Sequence, residues 1–393
     1  MSLSREIVEL VERVPPIDDG EDDAIQQRWA RLSGDDLPDP DYLPLIVHGI
    51  DPDSPEERAN IFPGHIRYPL AEQIDDPEKM LWEQLVRMAP LRRFPGDGRP
   101  AAMPWFGNAF LITGLGLDVR IIDDLCEPAR SLSREEIREL HVPETWADEG
   151  LVAKAVEFIR YARSVLPDHI PVGLFFMMSP YDLAYLIRGS DLMLDMYEAP
   201  DDAHHLMGVC TDLFVRATKL LRQEAGEADD SYRYMWRTFR GGGHLCEDCC
   251  VMLSAELHRE FSIPYTRRAL DAIGGGWVHF CGDGRHLLDA YLEIPNLHGF
   301  EFGQLEMNGP ADETARKIIR AGKGLNYQPA KGDGEDWPAY FRRVIEVIDR
   351  RKGLYLNAWT GVGGGDGEAL RARWHEAQDD AIVDDGDADR RLT

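Results

Sequence analysis

A histidine and a cysteine separated by one residue in the segment 276–282 (GWVHFCG) predict a metal site. Side chains alternate along a β-strand, so His279 and Cys281 are expected to point to one side while Val278 and Phe280 point to the other. An imidazole nitrogen and a thiolate can share one zinc ion, at about 2.0 and 2.3 Å respectively. Taken alone, the pair is more typical of a packed histidine beside a buried thiol than of a metal site.

A second group of thiols lies upstream, in residues 244–250 (HLCEDCC), directly after three glycines. Catalytic zinc commonly keeps three protein ligands and one open position. Cys249 and Cys250 are therefore candidate ligands, and Cys246 and Glu306 are the alternatives for the third position. The other interpretation is that these thiols pack as small hydrophobic side chains.

Charged and amide side chains near these segments are the candidate catalytic and substrate-binding groups. The candidate catalytic carboxylates are Asp248 and Glu306, and the candidate substrate contacts are Arg237, Arg240, Asn326 and Gln328. Arginines can bind substrate carboxylates through a bidentate fork, and two amides that alternate on one strand face can line a pocket. The alternatives are that the two arginines lie on the protein surface and that the two amides belong to an ordinary polar barrel mouth.

The elements that must position these residues are short strands alternating with helices. Strands are predicted at 170–177, 277–281, 299–304, 325–328 and 354–359, and helices at 151–166, 285–293, 312–321 and 337–351. This alternation requires a parallel sheet. Since no GxGxxG motif follows the first strand, the predicted fold is an α/β protein with a closed (β/α)8 TIM barrel, which carries its chemistry at the carboxyl ends of the strands.

Helix boundaries and domain boundaries are also predicted. Asp312 and Asp336 are expected to cap helix amino ends, and Gly322 and Gly353 are expected to end helices in the left-handed conformation. Residues 1–95 are predicted to form a helical and irregular N-terminal extension, residues 96–377 the barrel, and residues 378–393 an acidic, disordered tail.

Composition restricts the class of protein. The 393 residues contain 43 Lys+Arg against 71 Asp+Glu, a net charge of −28, which argues against a nucleic-acid partner. No apolar stretch reaches the length of a membrane helix, and charged residues interrupt the apolar pattern of Met1 to Val14, as a signal peptide would not. A cytoplasmic location, with the six cysteines as reduced thiols, is therefore expected.

Three successive motifs resemble the uroporphyrinogen decarboxylase (URO-D) superfamily in order and spacing. They are residues 246–256 (CEDCCVMLSAE), 261–265 (FSIPY) and 278–282 (VHFCG). The resemblance extends from about Trp105 to Gln328 and implies a (β/α)8 barrel with its site in a deep central cleft.

The resemblance is greatest to the corrinoid-dependent methyltransferase branch of that superfamily. Those enzymes move a methyl group between a methylated corrinoid protein and a thiol or folate acceptor, with a His-x-Cys pair and a later cysteine on zinc. His279 and Cys281 match the pair, but no cysteine follows Cys281. The branch implies zinc, a methylcorrinoid co-substrate, and a corrinoid carrier protein and a small-molecule donor or acceptor as partners. Whether the barrel forms a homodimer is left open by the sequence.

Two other functions remain open within the same resemblance. A uroporphyrinogen decarboxylase needs no metal, and Asp248 would then hold pyrrole N–H groups while arginines bind the carboxylate arms of the tetrapyrrole. Such enzymes carry an Arg-Gln-Ala-Gly-Arg substrate loop, which has no match in this sequence. The third function is a non-catalytic accessory protein that binds a corrinoid or a metal.

Overall fold

The computed structural model describes residues 4–48, 68–88, 96–99, 101–122, 124–175, 177–227, 230–359 and 367–388. The strands in these ranges are β1 (Leu45–His48), β2 (Val119–Ile122), β3 (Leu125–Pro128), β4 (Met177–Met178), β5 (Ser231–Tyr234), β6 (Arg237–Arg240), β7 (Gly243–Cys246), β8 (Gly276–Phe280), β9 (Leu297–Phe302), β10 (Gly324–Asn326) and β11 (Leu354–Trp359).

Helices connect and cover the strands. The α-helices of the described ranges are Arg5–Glu12, Asp19–Ala30, Leu70–Asp75, Pro77–Met88, Arg134–Glu139, Gly150–Val165, Pro180–Arg188, Asp191–Glu198, Pro200–Ala225, Ala255–Phe261, Ile263–Ile273, Leu288–Leu292, Ala311–Arg320, Trp337–Ile345 and Gly367–Ala388, with 3-10 turns at Phe110–Leu115, Asp248–Met252 and Leu305–Asn308. Across these ranges, none of the helices is both long and apolar enough to cross a membrane.

Seven parallel strands form the central sheet, in the order β1-β11-β10-β9-β8-β7-β4. An eighth position closes the ring: Ala102 pairs in parallel with Val172, upstream of β4, and the Asp97 N–H donates to the Leu45 carbonyl of β1 at 2.7 Å. The result is the predicted (β/α)8 barrel, in which the carboxyl ends of β7, β8 and β9 lie side by side.

The predicted helix ends agree with the structure at two of four positions. Gly322 has φ of 72° directly after its helix, and the Asp336 side chain accepts the Ala339 N–H at 2.8 Å. Gly353 has φ of 96°, but the helix that it was expected to end stops earlier, at Ile345. The prediction for Asp312 is also wrong. Pro310 takes the N-cap position of that helix without a side-chain cap, and Asp312 instead pairs with a residue one turn further along the helix, Arg316.

The barrel extends beyond the predicted boundaries at both ends. Strand β1 lies inside residues 1–95, which the sequence analysis assigns to an extension, and it pairs with β11. Helix Gly367–Ala388 continues through residue 378, where the tail is predicted to begin. Gln378 is buried and accepts the Leu43 N–H at 2.7 Å, because it covers the start of β1.

Aromatic rings fill the amino end of the barrel. Trp277 of β8 lies 4.4 Å from Phe239 of the β5–β6 hairpin and 5.9 Å from Tyr355 of β11, measured between ring centroids. Gly299 and Gly324 are required beside this ring, since a Cβ at either would lie 2.6 Å from Trp277. The lumen is therefore packed below the level at which the predicted site residues lie.

Candidate metal and substrate site

Four side chains with metal-binding atoms meet at the carboxyl ends of β7 and β8, and we call them the thiol–imidazole cluster: Cys246, Asp248, His279 and Cys281. As the strand alternation predicts, His279 and Cys281 point the same way, with Nε2 and Sγ 3.5 Å apart. One ligand atom of each of Cys246, Asp248 and His279 lies within 4.8 Å of the other two. The register explains the meeting, since Cys246 is the direct partner of His279 across the sheet.

Asp248 connects the members of the cluster. Its Oδ1 accepts the Cys281 N–H at 2.7 Å and lies 3.7 Å from His279 Nε2, and its Oδ2 accepts the Cys246 thiol at 3.2 Å. The turn Asp248–Met252 is anchored to β8 because the Glu247 N–H donates to the His279 carbonyl at 2.7 Å. Gly282, with φ of 85°, turns the chain away immediately after Cys281.

The cluster is accessible to small ligands. The His279 side chain is 17% exposed and that of Asp248 is 35% exposed, whereas Cys246 is fully buried. Burial and the neighbouring Asp248 carboxylate raise the pKa of the Cys281 thiol to about 11. A cation that binds here must therefore displace the proton of the thiol.

The Cys250 thiol lies away from this cluster, and the Cys249 thiol is not among the ligand atoms that Cys246, Asp248 and His279 bring together. The Cys250 sulfur is fully buried and lies 3.5 Å from Glu247 Oε2 and 3.4 Å from Ser262 Oγ, behind the strand. The Cys249 N–H donates to both oxygens of Asp182, at 3.1 and 3.2 Å. Burial raises the pKa of the Asp182 carboxyl well above its usual range.

A buried polar network lies beside the cluster in the lumen, and we call it the lumen network. At its centre is Glu301 of β9, the strand partner of His279. Arg237 donates to Glu301 Oε1 at 2.9 Å, and His244 Nε2 lies 3.2 Å from Oε2. Burial opposes the ionised carboxylate, but the charge of Arg237 and the close approach of the His244 ring outweigh it and hold the pKa of Glu301 below its usual range.

The predicted amides extend this network toward β11 and β1. Asn326 Nδ2 donates to Glu301 Oε1 at 3.4 Å, and Gln328 Nε2 donates to Asn326 Oδ1 at 2.8 Å. Asn357 Nδ2 is 3.4 Å from Asn326 Oδ1, and its own Oδ1 is 3.2 Å from His48 Nε2. The alternation of Asn326 and Gln328 thus places both amides in one chain of hydrogen bonds.

Two predicted residues lie away from the cluster. Arg240 makes two hydrogen bonds of 2.7 Å to the exposed Asp36; it lies three residues after Arg237 on β6, so the two side chains take opposite faces. Glu306 is exposed on the turn Leu305–Asn308. Among the hydrogen bonds of the described residues, none joins Glu306 to the cluster.

A cavity of about 160 Å³ lies near the same end of the barrel. Trp105, Phe175, Met103 and Trp236 form much of its apolar wall, and Gln84 contributes an amide. Trp236 also lies 5.3 Å from the His48 ring of the lumen network. The carboxyl end of the barrel thus offers an apolar surface beside polar groups.

Several site residues were not identified from the sequence. Glu301, His244 and Asp182 are buried polar groups, and Gln304 accepts the Gly282 N–H at 2.7 Å. Glu301 had a readable signal, since a carboxylate between two phenylalanines of a strand requires a partner when it is buried. The partner, Arg237, comes from a hairpin distant in sequence, so its pairing could not be predicted.

Comparisons with known proteins agree with the motifs. A model of the uroporphyrinogen decarboxylase (URO-D) family matches residues 66–322. Uroporphyrinogen decarboxylase of Myxococcus xanthus is 29% identical over 200 residues, 49% of this chain and 51% of the relative. The enzyme of that name from Mus musculus is 26% identical over 263 residues, 61% of this chain and 64% of the relative.

The match spans about half the length of the Myxococcus relative and 36% of a relative from Azoarcus that is 32% identical over 145 residues. Among solved structures, a methyltransferase from Methanosarcina mazei superposes with a TM-score of 0.60 at 14% identity, covering 91% of this chain and 96% of that one. This last similarity shows the fold.

Proposed function

The chain belongs to the uroporphyrinogen decarboxylase (URO-D) family, and we propose that it is a zinc-dependent methyltransferase that moves a methyl group between a methylated corrinoid protein and a thiol or folate acceptor. The observation that carries the proposal is the placement of His279 and Cys281 in the accessible mouth of the barrel, 3.5 Å apart. The Methanosarcina mazei structure, which has the same fold, is named a methyltransferase.

The thiol–imidazole cluster fits a zinc ion. Ligands at about 2.0 and 2.3 Å from a tetrahedral ion lie about 3.5 Å apart, which is the separation of His279 Nε2 and Cys281 Sγ. Nitrogen, sulfur and carboxylate oxygen form the donor set that zinc prefers. Asp248 or Cys246 supplies the third ligand, and a fourth position stays open for the acceptor.

Bound zinc would supply Lewis acidity, which lowers the pKa of an acceptor thiol. The chain's own residues orient that acceptor. Asp248 Oδ1 fixes the Cys281 backbone, and where Cys246 is the third ligand, the Asp248 carboxylate would accept the proton that the acceptor thiol loses. Asn326 and Gln328 present amide groups, while Arg237 keeps Glu301 ionised within the lumen network.

The test combines zinc content with methyl transfer in protein purified without chelator. His279→Ala and Cys281→Ser should each lose one equivalent of zinc per chain relative to the wild type and lose methylation of a thiol by methylcobalamin. Cys126→Ser, at a buried thiol outside the site, is the matched control and should keep both. Unchanged zinc content in His279→Ala and Cys281→Ser would contradict the proposal.

Decarboxylation is the second candidate function, and the names of the curated relatives favour it. In this function Asp248 would hold pyrrole N–H groups. The two candidate arginines are already engaged, Arg237 by Glu301 and Arg240 by Asp36, so neither is poised to bind a carboxylate arm. Consumption of uroporphyrinogen by metal-free protein would establish decarboxylation and eliminate zinc-dependent methyl transfer, and stable corrinoid binding without turnover would indicate an accessory role.

A further inference from the structure

A second group of ligand-type side chains lies on the outer side of the barrel wall, and we call it the rear cluster: Glu247, Cys250 and His258. One ligand atom of each lies within 4.8 Å of the other two. All three residues are fully buried. Because Cys246 points into the lumen, its neighbour Glu247 points outward, toward helices Ile263–Ile273 and Leu288–Leu292.

His258 has no hydrogen bond to explain its position. Both ring nitrogens are buried and without a hydrogen-bond partner in the part of the chain that the structure describes. Burial of a polar group without a hydrogen-bond partner is unfavourable. Burial lowers the pKa of His258 to about 3, so the imidazole is neutral, the form that binds metals.

The other two members of the rear cluster are held in place by hydroxyl groups. Glu247 Oε1 accepts the Thr266 hydroxyl at 2.5 Å, and Oε2 accepts the Tyr291 hydroxyl. The Cys250 sulfur lies 3.5 Å from Oε2 and 3.4 Å from Ser262 Oγ. A carboxylate, a thiol and an imidazole therefore converge inside a shell of hydroxyl groups.

We propose that Glu247, Cys250 and His258 bind a second zinc ion, in a structural site separate from the thiol–imidazole cluster. The mixed oxygen, sulfur and nitrogen donors suit zinc. The thiol proton leaves to solvent on binding, and one thiolate with one carboxylate neutralises the dication, which removes the cost of a buried net charge. The Ser262 hydroxyl offers an oxygen for the fourth position.

The position of the rear cluster gives this ion a structural effect on the catalytic side. Glu247 lies between Cys246 and Asp248 in sequence, and Cys250 belongs to the same turn as Asp248. An ion held by Glu247 and Cys250 ties this turn to helix Ala255–Phe261, which carries His258. Zinc at the rear would therefore fix the segment that presents Asp248 to the thiol–imidazole cluster.

The experiment first removes two ligands of the thiol–imidazole cluster. The His279→Ala/Cys281→Ser variant, loaded with zinc and desalted, should retain one zinc per chain, and its X-ray absorption spectrum should contain a single sulfur ligand. Loaded with cobalt, it should show one thiolate-to-cobalt charge-transfer band, which a further Cys250→Ser substitution abolishes and a further Cys126→Ser substitution leaves.

Two results would overturn the second site. One is that the His279→Ala/Cys281→Ser variant, shown by circular dichroism to be folded, retains no zinc or shows no sulfur ligand. This test leaves every residue of the rear cluster unsubstituted. The other is a cobalt band that survives Cys250→Ser. Failure of the proposed function can be distinguished from failure of this second site, because the proposed function is tested by the zinc equivalent that the protein loses when His279 or Cys281 is substituted.

Discussion

At the scale of single residues, Gly303 makes room for the Cys281 sulfur. A Cβ at Gly303 would lie 2.5 Å from Cys281 Sγ. We therefore expect Gly303→Ala to displace the sulfur and weaken zinc binding at the thiol–imidazole cluster by about 10- to 100-fold. Competition with a chromophoric chelator measures this affinity. Gly332→Ala, whose Cβ meets its nearest side chain at 3.6 Å, should leave the affinity unchanged, and equal affinities in both variants would contradict the expectation.

The ion pair between Arg237 and Glu301 predicts an asymmetric response to substitution. Both side chains are buried, at 5% and 10% exposure, and removal of one partner strands a charge in the lumen. Glu301→Gln should therefore destabilise the protein by about 3–5 kcal/mol. The double variant Arg237→Met/Glu301→Gln should recover part of that loss in urea unfolding, and a double variant less stable than Glu301→Gln alone would disagree.

His48 predicts part of the acid sensitivity. Burial, with a smaller contribution from Arg237, lowers its pKa from 6.5 to about 4, against the hydrogen bond with Asn357. Because the folded pKa lies below the unfolded value, its contribution to stability is complete above pH 6.5 and is lost as the pH falls through 4, a change of about 3 kcal/mol at most. His48→Gln should flatten urea-derived stability over this interval, and parallel curves for the two proteins would refute the assignment.

Sequence reasoning identified the residues whose geometry depends on one strand and missed those that depend on several. The alternation of His279 and Cys281 follows from β8 alone. Cys250 and Cys246 differ in face only because the strand ends at Cys246 and the turn Asp248–Met252 begins two residues later, a boundary that no local pattern revealed. The partner of Arg237 depended in the same way on the packing of a hairpin against β9.

At the scale of elements, glycines permit the close pairing of β7 and β8. A Cβ at Gly276 would lie 2.1 Å from the Gly243 carbonyl oxygen, so Gly276→Ala should cost about 3 kcal/mol of unfolding free energy or prevent folding. Gly208→Ala, in helix Pro200–Ala225 with no atom within 4 Å, should instead stabilise by about 0.5–1 kcal/mol. Thermal and urea unfolding compare the two, and a similar effect of both would contradict this account.

Strands β8, β9 and β10 and the helices after them could be predicted, because each of these strands is a short, largely apolar run followed by an amphipathic helix. The β5–β6 hairpin and β7 were not predicted, since they lack such a run. Strand β1 could not be predicted from the sequence. Its four residues are all buried and lie in a segment rich in proline, which indicates irregular structure. The eighth strand position was also hidden, since Ala102 joins the ring through a single bridge rather than through a ladder.

At the scale of the whole molecule, Asp97 joins the N-terminal helices to the closure of the barrel. This fully buried carboxylate accepts Arg28 Nη1 at 2.6 Å and the Leu45 N–H at 2.8 Å. Asp97→Asn should therefore cost about 3 kcal/mol or more. Asp41, the other partner of Arg28, has a side chain that is 50% exposed, so Asp41→Asn should cost less than about 1 kcal/mol. Equal losses of unfolding free energy for the two variants in urea would contradict the assignment.

The rings of Trp277, Phe239 and Tyr355 fill the amino end of the barrel, so within the described residues His279 is approached from the carboxyl ends of the strands. Whatever reaches His279 must enter past the carboxyl ends of the strands, and whatever is made there must leave by the same route. A corrinoid protein that docks over the carboxyl ends of the strands to donate a methyl group would, under the proposed function, also cover this route. Under the proposed function, the acceptor must therefore bind before the corrinoid protein docks, and the methylated product can leave only after the corrinoid protein has dissociated.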